Sequence, residues 1–165
     1  MTFELKTLST EAIPRALEKA ERYRLLNEPA EAESICLDVL RIDPENQQAL
    51  VTLLLALTDQ FHVTAAVQAA RDLLPRLHSE YDRTYYAGII CERRAKVWLH
   101  QGAQGCEVAA HDWFREAMTW YERAQPLRPH ENDDATLRWN TCARILMRNP
   151  RLMPQREERI ELPLE

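Results

Sequence analysis

Only three glycines, Gly88, Gly102 and Gly105, occur among the 165 residues of this chain, and their scarcity constrains the fold more than any other feature. Tight β-hairpins and the phosphate loops of dinucleotide-binding α/β folds both draw on glycine, and three are too few for either. A helical chain needs few. The content of 45% hydrophobic and 28% charged residues is that of a soluble globular chain, and the length suits one domain. The expected class is all-α.

Charge narrows the partners. Residues 1–60 hold 6 basic and 11 acidic side chains and so carry the whole net charge of −5, whereas residues 61–165 hold 15 of each sign. No basic domain or stripe is present, so nucleic acid is not an expected partner. The first residues, Met1 to Lys6, lack a basic region followed by an apolar core. The longest apolar run, Ala49 to Leu57, is broken by Thr52 and is too short to cross a membrane. Cys36, Cys91, Cys106 and Cys142 form no CxxC pair, and three of them fall on apolar helix faces, where free thiols act as small hydrophobes. A cytoplasmic protein with free thiols and no membrane contact is expected.

Periodicity predicts helices over residues 11–26, 30–42, 47–60, 64–77, 79–100, 107–125 and 132–148. Ser9 and Thr10 are candidate caps for the first. Asn27-Glu28-Pro29 and Asp43-Pro44-Glu45-Asn46 are its two following corners, and Gly102 and Gly105 bound a loop. Residues 1–10 form an N-terminal extension, and residues 149–165 form a proline-containing tail.

Self-similarity adds a second constraint. Ala32, Cys36, Val39 and Pro44 stand at spacings of 4, 3 and 5, and Ala117, Tyr121, Ala124 and Pro129 repeat those spacings 85 residues later. Ala20 and Tyr23 precede the first set at the small and tyrosine positions of a preceding helix. The pattern resembles the tetratricopeptide repeat (TPR), a helix–turn–helix of 34 residues. The resemblance covers residues 11–148, with repeats at about 13–46, 47–80 and 81–131 and a capping helix at 132–148 that turns Trp139 inward. Ala16 replaces the early tryptophan of the pattern, and His78 replaces the late proline of the second repeat. The displacement of 85 leaves 17 residues beyond two periods, an insertion near 95–111 that lengthens both helices of the third hairpin.

This resemblance implies a superhelix of stacked hairpins whose first helices line a concave groove for a peptide or helix of a partner protein. In this register the groove positions are Leu17, Glu21, Arg24, Val51, Leu55, Asp59, Tyr85, Ile89, Glu92 and Arg93. The family's clamp for chaperone C-termini is absent, because its positions hold Leu17, Glu21, Thr52, Asp82 and Tyr86. Leu50, Leu53, Leu54 and Leu57 already supply a core face, so Val51 and Leu55 make the third helix apolar almost all round. Three covers for them stay open: a partner segment, the chain's own tail through Ile160, Leu162 and Leu164, or the neighbouring repeats.

Trp98, Trp113, Phe114 and Trp120 gather around the insertion, either as a zipper between its longer helices or as a second contact surface. His100, Cys106 and His111 have no common zinc spacing, so no metal or cofactor is expected. Cys106 follows a glycine at a helix start, where a thiol pKa can fall. His111 and Asp112 are neighbours expected to point apart. No GxSxG, P-loop or HExxH motif is present. The expectation is a non-enzymatic adaptor, scaffold or chaperone-like subunit. A small thiol-active protein using Cys106 and a self-associating structural homo-oligomer are its alternatives.

Overall fold

Proline, asparagine and glycine set the corners of the chain. The computed structural model describes residues 2–103 and 105–152, and among these it contains helices and no strands. Seven α-helices follow one another in this part of the chain: α1 (Ile13–Leu25), α2 (Pro29–Ile42), α3 (Gln47–Thr58), α4 (Thr64–Leu73), α5 (Glu80–Gln101), α6 (Cys106–Ala124) and α7 (Asp134–Arg148). Asn27 takes φ +62° between α1 and α2, a conformation its short polar side chain tolerates, and Pro29 opens α2. The Asn46 side chain accepts the Ala49 N–H at 2.9 Å and caps α3. Ser79 caps α5 in the same way through Asp82 N–H. Gly102 and Gly105 have φ values of +63° and +86° and frame the turn between α5 and α6.

Four helix ends differ from the sequence expectation by two residues or more. The first helix begins as a 3-10 turn at Thr10–Ala12, and the Ser9 side chain makes no capping bond. The third ends at Thr58 rather than at residue 60. The fourth ends at Leu73 rather than at residue 77, because Pro75 has no N–H to continue it; a 3-10 turn, Leu74–Arg76, takes over. The last begins at Asp134, two residues late, because Asn132 folds its side chain onto the Asp134 N–H at 2.9 Å.

Short connections make α1/α2, α3/α4 and α5/α6 hairpins. The first helix of each hairpin touches the first helix of the next, and each second helix packs on the helix that follows it. At 22 and 19 residues, α5 and α6 are the longest helices described, and their contact is the most extensive in the molecule. Two apolar clusters result. One joins α1–α4 with Leu77 and Ile90; the other joins α5–α7 with Leu152. Val51 of α3 packs on the first cluster and Leu55 on the second, so the neighbouring helices cover the face that had called for an occupant. Ile160, Leu162 and Leu164, the tail residues considered as that cover, lie outside the described residues.

All four cysteines are buried and unpaired. Burial, as the largest cause, pushes the Cys36, Cys91 and Cys142 thiols up to about 12 from an ordinary 9.0. Above pH 9 the unfolded chain therefore gives up thiol protons that the folded chain keeps, and stability falls as pH rises from about 9 to about 12. Urea midpoints measured across that range should fall, and the fall should shrink in a Cys36→Ala variant.

Gly88 of α5 lies against the Tyr121 ring of α6, where an added Cβ would meet ring carbons at 2.6 and 2.8 Å. Tyr121 is fully buried and cannot swing away. Overpacking at such a contact costs about 1–3 kcal/mol, against a helix-propensity gain of about 1 kcal/mol for alanine over glycine. Gly88→Ala should therefore lower unfolding stability, read from chemical denaturation followed by circular dichroism.

Candidate functional site

Three of the groove positions read from the sequence meet in space. Arg24 lies in the last turn of α1, Asp59 directly follows α3, and Arg93 lies in the middle of α5. Arg24 Nε donates to Asp59 Oδ2 at 2.9 Å, and Arg93 Nη1 stands 3.4 Å from Asp59 Oδ1. A carboxylate at a helix C-terminus opposes the helix dipole; the two guanidiniums offset that repulsion. The result is an ion-pair ladder across the first helices of three successive hairpins.

The ladder forms part of the wall of an open cleft of about 820 Å³. Leu25 and Asn27 line it from the end of α1, Phe61 and His62 from the turn after α3, and Lys96, Val97 and His100 from the C-terminal half of α5. Arg24, Arg93 and Lys96 are its cations, His62 and His100 add imidazoles, and Asp59 is the acid among the lining residues. Leu25 is 87% exposed at the lip. Lys96, Val97 and His100 continue the face of Arg93 at helical spacing. At 22 residues, α5 is long enough to carry them along the cleft beyond Arg93.

The other groove positions lie elsewhere. Leu17 and Ile89 are buried in the two core clusters and out of reach of a partner, because their helix faces meet neighbouring helices. Tyr85 is half-buried and stacks on Tyr81 with ring centroids 5.6 Å apart. Glu21 is exposed on α1. Val51 and Leu55 are half-buried between hairpins, so the cleft is a charged one and not the apolar groove expected.

Glu92 departs furthest from expectation, for its side chain is fully buried. Arg138 of α7 forks onto it, Nε to Oε2 at 3.0 Å and Nη2 to Oε1 at 2.7 Å. Tyr121 Oη of α6 donates to Oε2 at 2.7 Å, and Lys96 Nζ donates to Oε1 at 2.6 Å. Burial, the largest cause, would lower the Arg138 pKa, but the Glu92 charge together with Tyr121 and Tyr85 outweighs it and holds the guanidinium above its ordinary value. Burial and then the same carboxylate push the Tyr121 phenol far up.

Around the insertion, Phe114 is fully buried and cannot serve as a contact surface, because it fills the core between α5 and α6. Trp98 and Trp113 are half-buried, and the guanidiniums of Arg71 and Arg94 lie 5.6 and 5.5 Å from the Trp113 ring centre. Trp139 packs inward and donates to Glu122 at 2.9 Å. His111 and Asp112 do not point apart: Nδ1 and Oδ1 are 3.1 Å from each other at the exposed start of α6. No group of three or more His, Cys, Asp or Glu side chains able to hold a metal occurs among the described residues. No described helix is long and apolar enough to cross a membrane.

No protein-family model, curated protein or solved structure matches this chain.

The Glu92 cluster allows its donors to be ranked. Tyr121→Phe keeps the ring and removes one hydrogen bond to a charged acceptor, a loss of about 1.5–3 kcal/mol. Arg138→Met leaves the buried carboxylate short of its forked partner and should cost more, about 3–5 kcal/mol. Urea unfolding of both variants beside wild type checks the order.

Proposed function

We propose that this chain is a TPR-like, non-enzymatic interaction module, an adaptor, scaffold or chaperone-like subunit of the cytoplasm. On this reading it holds a peptide or helix of a partner protein in the cleft between α1, α3 and α5. The observation that carries this reading is the convergence of Arg24, Asp59 and Arg93. Asp59 and Arg93 are equivalent positions of successive hairpins, 34 residues apart, Arg24 is one residue before the equivalent position in the first, and the three form one wall of an open cleft. Recurrence at the repeat period is what a stack of like hairpins produces along a ligand-facing surface.

The rival readings have less behind them. A thiol-active protein would need an accessible sulfur at Cys106, whose side chain is 4% exposed and whose Sγ lies 3.9 Å from Gln101 Oε1. Self-association through Val51 and Leu55 has a reduced surface to work with, because both are half-buried against the core clusters.

A photo-crosslinking residue placed at Leu25, on the cleft lip, should capture a cellular protein. The same residue at Leu137, exposed on α7, should not. Adducts of equal yield from both sites, or none from Leu25, would count against a partner in the cleft.

A further inference from the structure

We infer that the segment held in this cleft is acidic. Its carboxylates engage Arg24, Arg93 and Lys96, and Asp59 is an internal counter-ion that keeps the two guanidiniums aimed at one point. This deepens the peptide-binding reading above and rests on it.

The charge count comes first. Three permanent cations line the cleft against the single carboxylate of Asp59. The Glu92 charge beside Lys96 is fully buried and already held by Arg138 and Tyr121. Of the elements flanking the cleft, α1 carries Arg15, Lys19, Arg22 and Arg24 against Glu18 and Glu21, and α3 carries no charged residue. The cleft and the α1 surface beside it are thus both net basic, and an acidic segment is drawn to them. A basic segment would be repelled.

Donor capacity comes second. Each guanidinium offers five N–H groups in a planar fork. Among the described residues, Asp59 is the one carboxylate within 4.0 Å of either Arg24 or Arg93, and it meets one nitrogen of each. The Arg93 Nε is buried and has no hydrogen-bond partner. Both arginine side chains are partly shielded, at 19% and 34% exposure, which strengthens charge-assisted bonds relative to open surface. Leu25 and Val97 add an apolar contact beside these donors, suited to an aliphatic residue flanking the acids.

The test is selection of random linear peptides displayed on phage against the full chain. The selected peptides are then titrated as fluorescent conjugates into wild type, Arg93→Gln and Asp59→Asn, after circular dichroism shows all three equally helical. The selected peptides should be rich in Asp and Glu, and their affinity should fall with added salt. Arg93→Gln should weaken binding about tenfold or more. Asp59→Asn, which releases the two guanidiniums from their common partner, should weaken it about two- to fivefold. Peptides that lose affinity with Arg93→Gln yet carry no acidic excess would overturn the acidic assignment and leave the peptide-binding reading standing. Unchanged or strengthened binding by Asp59→Asn would overturn the counter-ion role. Peptides indifferent to Arg93→Gln bind elsewhere, and failure to select any peptide would overturn both readings together.

Discussion

Burying a carboxylate costs several kcal/mol unless it is fully paired, and the third hairpin is organised around meeting that requirement at Glu92. Its oxygens receive bonds from α5 itself through Lys96, from α6 through Tyr121 and from α7 through Arg138. Each donor comes from a different helix, so the pairing is complete only when all three are docked. Nearby, Gly88 lets the Tyr121 ring lie directly on the α5 backbone, one turn from the carboxylate it serves. Larger side chains at position 88 would move the ring and with it one of the four bonds. The cluster thus links close helix packing to polar satisfaction, and neither can be relaxed without the other.

Glu92 and Arg93 are adjacent on α5 and about 100° apart around its axis. One faces the interior of the third hairpin; the other faces Asp59 and the cleft. Fixing the first therefore fixes the rotation of α5 that aims the second. The same helix closes the first core cluster through Ile90 and the second through Ile89, Cys91 and Ala95. A cleft built on such a helix inherits rigidity from both clusters, and less ordering remains to be done when a ligand binds.

Much of the fold was legible because its corners carry residues with few conformational options. Asn27, Pro29, Asn46, Gly102 and Gly105 all act at the positions where they were read. The 34-residue period brought Arg24, Asp59 and Arg93 to one wall before any contact was known. Glu92 was misplaced because a register assigns an arc of helix, and 92 and 93 fall on its two edges; which edge turns inward depends on Arg138, 46 residues away. Lys96 and His100 were missed because the register stopped at Arg93, whereas α5 runs on to Gln101 along the cleft. Leu55 suggested an apolar groove because composition reports that a side chain needs cover, not which element supplies it.

The loss of that apolar groove changes what the cleft can recognise. Val51 and Leu55 help join the two clusters, so their burial stabilises the stack and is no longer available to a ligand. On the proposed reading, binding strength would come chiefly from partly shielded guanidinium donors, whose interactions are directional and reach further than apolar contact. Such a site sorts ligands by charge during the encounter, before shape is tested, and its affinity responds to salt where an apolar groove would hardly notice it. Asp59 sets how strong that discrimination is: it cancels part of the field while holding Arg24 and Arg93 close together. Without a negative group between them, the two guanidiniums would repel and separate, so the same carboxylate that weakens the field makes its geometry possible.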